Sequence, residues 1–351
     1  MRLHGQVAGA HRPSGPAAWR VLPWVFALLL AALNGACAPR LAPPGPGPTP
    51  PRLAQDNLIT ADGLELPLRA WLPERSAPKA VILALHGFND YSRAFEGPGR
   101  YWAARDIATY AYDQRGFGAA PHRGLWAGAD AMTGDLNVAA EAIRARHPDV
   151  PLVLLGDSMG GAVVLAAVTG PEPPTADGVV LVAPAVWARA TMPLSHRVAL
   201  WLGAHTVPWL KLSGRGLKIQ ASDNVEMLRE LGRDPLYIKE TRIDAIHGLT
   251  DLMDMALRGA PRLAVPALLL YGENDEVIPE DPTLRLWQSL PEETRRHQRV
   301  ALYADGWHML LRDLQAEVVL GDVVHWIAAP QAPLPSGAEA RALERLDRVA
   351  R

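Results

Sequence analysis

The chain has 351 residues and a formal net charge of −2, with 49% hydrophobic and 21% charged residues. That is a globular composition, long enough for one large domain with a core, and it offers no electrostatic case for nucleic-acid binding. No H-E-x-x-H, C-x-x-C, G-x-G-x-x-G or Walker A pattern occurs in the sequence, so neither a metal nor a cofactor is expected.

Arg2, Arg12 and Arg20 precede the apolar run Val21 to Leu33, and Asn34-Gly35-Ala36-Cys37 follows. This charged, apolar and small-residue layout reads as a secretory signal over residues 1–36. The apolar run is shorter than the roughly 20 residues of a bilayer span, and a retained membrane anchor is the alternative. Cys37 is the only cysteine, so no intramolecular disulfide can form. Its place after Gly35-Ala36 resembles a bacterial lipobox, with Asn34 where leucine is usual. The resemblance implies a lipidated Cys37, an exported lipoprotein and a membrane partner reached through acyl chains. Ala38, rather than aspartate, after the cysteine points to the outer membrane. The Pro-rich stretch that follows, within residues 37–56, favours an extended polyproline tether reaching roughly 45 Å at 3.1 Å per residue.

Asn57 to Leu72 reads as two short strands around the turn Asp62-Gly63. Apolar runs then alternate with helical patterns. Strands are expected at Ala80–Leu85, Ala108–Tyr112, Val150–Leu155, Gly178–Val182, Ala267–Tyr271 and Arg299–Tyr303. Helices are expected over Tyr91–Arg105, interrupted at Gly97-Pro98-Gly99, and over Met132–Arg146, Ala162–Val168 and Leu311–Ala329. Buried strands alternating with helices indicate a mostly parallel, doubly covered sheet, an α/β fold. Its two parts are residues 57–183 and 264–330. The intervening residues 184–263 are too many for a loop. They hold helical pieces at Ser195–Gly203, Asn224–Gly232 and Ile243–Arg258, and read as a helical cap. Residues 331–351 are a charged tail, expected to be peripheral or frayed.

Chemistry enters at Gly156-Asp157-Ser158-Met159-Gly160-Gly161, between a buried strand and a helix. A G-x-S-x-G turn in that setting is a nucleophile elbow: a strained turn, crowded enough to need small residues two places either side of the serine, lifts its hydroxyl above the sheet edge. Serine hydroxyl is a weak nucleophile and needs a base and a group that orients the base. The acid is expected in Gly272-Glu273-Asn274-Asp275-Glu276. Asp275 is the choice there, with Glu273, Glu276 and Asp281 competing. The base is expected at His308, which ends the next strand unit in Ala304-Asp305-Gly306-Trp307-His308. His325 lies inside a helical pattern and reads as structural. His86-Gly87-Phe88 ends an earlier strand. The backbone N–H groups of Met159 and Phe88 are expected to form the oxyanion hole, with His86 holding the loop.

These stretches, with Tyr112-Asp113-Gln114-Arg115-Gly116-Phe117-Gly118, resemble the α/β-hydrolase superfamily. Within it they are similar to the monoacylglycerol lipase, lysophospholipase and serine aminopeptidase group, over roughly residues 57–330. The resemblance implies cofactor-free cleavage of a lipid-like ester through an acyl-enzyme on Ser158. Two positions depart from the lipase branch: Asn89 stands where glycine is usual and Tyr91 where histidine is common. The H-G-G-x-P pattern of proline iminopeptidases is absent. An acyltransferase with the same triad and a non-catalytic envelope binding protein are the alternatives. In the cap, Val198 to Leu202 and Val207 to Leu210 are densely apolar. They either line an acyl pocket or touch a membrane, or they pack on the core.

Overall fold

Leucine- and valine-rich runs have no solvent-tolerant face, so each must be covered on both sides. The computed structural model describes residues 38–214, 216 and 218–349, and the readings for residues 1–37, Cys37 among them, lie outside that range. The strands in chain order are β1 (Arg52–Leu53), β2 (Asn57–Ile59), β3 (Glu65–Trp71), β4 (Ala80–Leu85), β5 (Ile107–Tyr112), β6 (Leu152–Asp157), β7 (Gly178–Val182), β8 (Lys211–Ser213), β9 (Glu240–Arg242), β10 (Ala267–Gly272) and β11 (Gln298–Tyr303). All but β8 and β9 join one sheet, ordered β1-β2-β3-β5-β4-β6-β7-β10-β11. From β5 to β11 the pairing is parallel, and β1 to β3 are antiparallel at one edge.

The helices are α1 (Glu96–Ala103), α2 (Ala129–Arg146), α3 (Met159–Val168), α4 (Leu194–Thr206), α5 (Val225–Arg233), α6 (Ile243–Gly259), α7 (Glu280–Ser289), α8 (Ala316–Ala328) and α9 (Ala338–Val349). Both sheet faces are apolar, as the period-two alternation of β4 shows. Val81, Leu83 and Leu85 meet a core shared with α2, α3, α6 and α7. Ala80, Ile82 and Ala84 meet a second core shared with α1 and α8, where Trp102 and Trp326 are fully buried. Burying a large apolar side chain of this kind contributes about 1.5–3 kcal/mol. The architecture is the α/β class expected.

Four features differ from the sequence reading. The first helix begins only at Glu96, after a 3-10 turn at Ser92–Phe95, so Pro98 falls in its first turn, where a missing N–H breaks no bond. The segment expected as a free tether lies on the body instead. Its backbone N–H groups at Arg40 and Gly45 donate to the Asp244 and Asp62 carboxylates, at 3.1 and 2.7 Å. Ala42, Gly47 and Thr49 donate to backbone carbonyls of Trp126, Asp62 and Ala61. Proline stiffness favoured an extended path, and the acceptors along the surface captured it. The third helix assigned to the cap, α6, is a core helix: Leu252, Met253 and Ala256 are buried beside α3. The insert proper therefore ends near Arg242. Finally, the C-terminal tail is docked along β11, with Leu334, Ala338 and Ala342 buried, Arg345 paired with Glu280 and Arg299 with Glu339. A charged helix with one small apolar stripe covers an edge strand that would otherwise be open.

Candidate active site

Every parallel strand delivers its carboxyl end to the same rim, and three of those ends carry the expected groups. At the end of β6 the chain reverses into α3 through Ser158, which sits at φ +52°, ψ −113°. A non-glycine residue there stores about 1–3 kcal/mol of strain, held by the surrounding structure. The holding bonds are visible: Ser158 N–H donates to Val182 O at 2.9 Å, and Ser158 O accepts the N–H groups of Ala162 and Ala185. Glycine is obligatory on both sides. A Cβ at Gly156 would collide with the Gly160 backbone, and one at Gly160 with the Leu85 carbonyl.

After β11, the turn at Gly306 brings His308 over the serine. Its Nε2 lies 2.9 Å from Ser158 Oγ. Its Nδ1 lies 2.8 Å from Asp275 Oδ2, in the loop after β10. The other oxygen of Asp275 accepts the N–H groups of Val277 and Ile278 at 2.8 and 2.9 Å, which turns Oδ2 toward the imidazole. The competing acids stand elsewhere. Glu276 accepts the Gln220 N–H at 2.6 Å, tying this loop to the insert. Asp281 starts α7, and Glu273 is exposed. His325 lies within the last turn of α8.

His308 is buried, which disfavours its charged form. The Asp275 carboxylate and its hydrogen bond, aided by Asp157 and Asp313, outweigh that, and its pKa is raised above the usual histidine value. Asp157, buried beside this group, has its own pKa pushed up to about 6 by burial, and its Oδ1 has no hydrogen-bond partner among the described residues.

The loop that carries Phe88 passes the serine at Gly87, where a Cβ would lie 3.4 Å from Ser158 Cβ and 4.0 Å from Oγ. The Met159 N–H opens α3, where the helix dipole is positive. Met159 and the loop that carries Phe88 therefore adjoin Ser158. His86 holds the loop. It is fully buried, its Nδ1 contacts Gly87 O at 2.8 Å, and its Nε2 accepts the Gln114 N–H at 2.9 Å. Burial lowers its pKa, which keeps it neutral.

The sequence reading left the Asp113-Gln114-Arg115 stretch without roles, and the structure supplies them. Asp113 accepts from Ser92, just past the Phe88 loop, at 2.5 Å from the hydroxyl and 3.0 Å from the N–H. Gln114 also donates to His86 O. Buried Arg115 makes two-pronged pairs with Asp62 and Asp135. A polar triplet directly after a buried strand was the available signal. No cluster of metal-ligating residues occurs among the described residues.

The expected cap pieces are solvent-facing. Val198, Trp201, Leu202, Val207, Trp209 and Leu210 are all exposed, whereas Leu200 is half-buried and Pro208 buried. No helix among the described residues is long and apolar enough to cross a membrane.

Known proteins resemble the chain over most of its length. A family model described as "Serine aminopeptidase, S33" matches residues 76–315. The mouse monoglyceride lipase is 28% identical over 78% of this chain and 89% of its own length. A monoacylglycerol lipase of Mycolicibacterium smegmatis is 26% identical over 79% and 97%. In structure, the fold matches a soluble variant of the Saccharomyces cerevisiae monoglyceride lipase, at TM-score 0.67 and 19% identity over 83% of this chain and all of that one.

Proposed function

The chain belongs to the serine aminopeptidase S33 family of α/β-hydrolases and is a carboxylic ester hydrolase, and from that premise we propose that it cleaves lipid-like monoesters of the monoacylglycerol or lysophospholipid type through an acyl-enzyme. One observation carries the reading: the continuous relay from Ser158 Oγ through His308 to Asp275, at 2.9 and 2.8 Å.

In this mechanism His308 Nε2 takes the Ser158 proton as Oγ attacks the ester carbonyl carbon. The carbonyl oxygen becomes an oxyanion facing the N–H groups of Phe88 and Met159, and Asp275 stabilises the imidazolium. Collapse breaks the bond to the alcohol, which leaves with the proton from His308. Water then gives its proton to His308, attacks the acyl-serine and releases the carboxylic acid. Each oxyanion donor is worth about 3–4 kcal/mol in hydrolases of this kind.

The address is part of the proposal. Cys37 is lipidated and the enzyme is held in the cell envelope, at the outer membrane. The exposed apolar face of α4, with Val207, Trp209 and Leu210, supports contact with lipid. The mass of the mature N-terminus checks the lipid.

The experiment for the chemistry is fluorophosphonate labelling followed by an ester chain-length series. Wild type labels and Ser158→Ala does not. Turnover rises from acetate toward longer acyl monoesters, and free acid is the product even with an alcohol acceptor present. Labelling of Ser158→Ala, or a preference for acetate, contradicts the proposal.

A further inference from the structure

The loop that carries the Phe88 N–H does not end its business at the oxyanion. Asn89 stands at φ +67°, a left-handed conformation that asparagine accepts and most residues do not. From there its Nδ2 donates to Thr241 Oγ1 at 2.8 Å, while its carbonyl accepts the Ile238 N–H at 3.0 Å. Thr241 belongs to β9, whose partner β8 follows the exposed apolar helix α4. Two residues on, the Tyr91 hydroxyl donates to Asp234 Oδ2 at 2.6 Å, at the end of α5, and Arg93 approaches the same carboxylate at 3.3 Å. The oxyanion loop thus grips the insert at two places, through the two side chains that depart from the lipase-branch pattern.

We propose that Asn89 is a positioning residue, which through Thr241 makes the placement of the Phe88 N–H depend on the seating of the insert. The proposal rests on the ester-hydrolase reading and deepens it. An oxyanion donor works only when it stands about 2.7–3.1 Å from the developing charge, and displacement of a catalytic group by about 1 Å costs up to a hundredfold. Asn89 is the neighbour of Phe88, so a hydrogen bond that fixes its side chain also limits the tilt of that peptide. The bond is shielded, since Thr241 is buried and Tyr91 nearly fully so. Glycine could adopt the backbone conformation but could not reach Thr241. Asparagine does both.

The test is steady-state kinetics on a water-soluble short-chain p-nitrophenyl ester. Asn89→Gly allows the same backbone conformation and deletes the reach, and Thr241→Val, which leaves the Asn89 backbone untouched, separates loss of the bond from added backbone freedom. Thr241→Val removes the acceptor from the other side, and Thr241→Ser keeps it. The expected result is a fall in kcat of about tenfold in Asn89→Gly and in Thr241→Val, with KM within about twofold. Thr241→Ser stays near wild type, and the double variant is no worse than either single, because both remove one bond. Unchanged kcat in the two deletions, losses that multiply in the double variant, or losses that merely track a lowered unfolding temperature would overturn the proposal. Fluorophosphonate labelling separates this from the hydrolase reading. A wild type that does not label sinks the hydrolase itself. A labelling wild type with unchanged Asn89→Gly kinetics sinks only the coupling.

Discussion

His308 is pulled in two directions, and the balance sets how the enzyme responds to acid. Burial opposes its charge, Asp275 favours it more strongly, and the net pKa lies above the ordinary value of about 6.5. The base must be neutral to accept the serine proton, so activity is lost as pH falls through that raised pKa. The acid limb of kcat/KM therefore lies above pH 6.5. Asp157 contributes, because its negative charge stabilises the imidazolium. Asp157→Asn removes that charge, and the acid limb should move to lower pH in a kcat/KM profile. A limb that stays put or moves up contradicts the assignment. Ser158 and His308 were readable because each follows a strand in the right order. Asp275 was readable only as one acid of several, since Glu273, Glu276 and Asp281 share its stretch of chain. What singles it out is a pair of backbone N–H bonds at Val277 and Ile278, a turn geometry with no distinct sequence signal. Asn89 was visible as a departure from a pattern, but its partner Thr241 is 152 residues away, beyond any local reading.

Elements with a strong apolar period were legible almost to the residue, as β4 and β7 illustrate. Those whose fate depends on distant surfaces were not. α6 carries a pattern that fits either a lid or a core helix, and only its seat against α3 decides. Gly248 shows the same dependence, since a Cβ there would strike the Trp126 ring. The C-terminal helix α9 is rich in charge and reads as peripheral or frayed, yet Ala342 on its inner face is fully buried. Ala342→Asp would place an unpaired carboxylate in that contact. The expected cost is about 2 kcal/mol or more, or about 3 °C in the unfolding midpoint by calorimetry. An unchanged midpoint would mean that the helix is not docked in solution.

For the molecule as a whole, the parallel sheet and its double helical cover follow from the alternation of runs, and the α/β-hydrolase fold was accessible from sequence, whereas the strand order came only with the structure. The disposition of the insert was not, because apolar residues that face solvent and apolar residues that face a core look alike in a string. Trp201 and Leu202 are each about half exposed, at 56% and 48%, in the same insert as exposed Val198, Val207, Trp209 and Leu210. If that face meets lipid, changing both to serine should lower turnover of long-chain monoacylglycerol dispersions by about tenfold, and turnover of a water-soluble short ester much less. Equal losses on both substrates would assign the face to folding or to the pocket rather than to a lipid surface.

The N-terminal strap gives the fold an unexpected beginning. Gly45 donates to Asp62, and Asp62 is clasped by Arg115, so a segment rich in proline is wired to a buried guanidinium. An endoprotease needs a stretch of chain lifted into its own cleft, and here that requires releasing the bonds from Arg40 to Thr49 together. Nicking inside the strap should therefore be slow under native conditions. A truncated version begun at the first sheet strands would be a different folding unit, short of the ties that keep Asp62 in place.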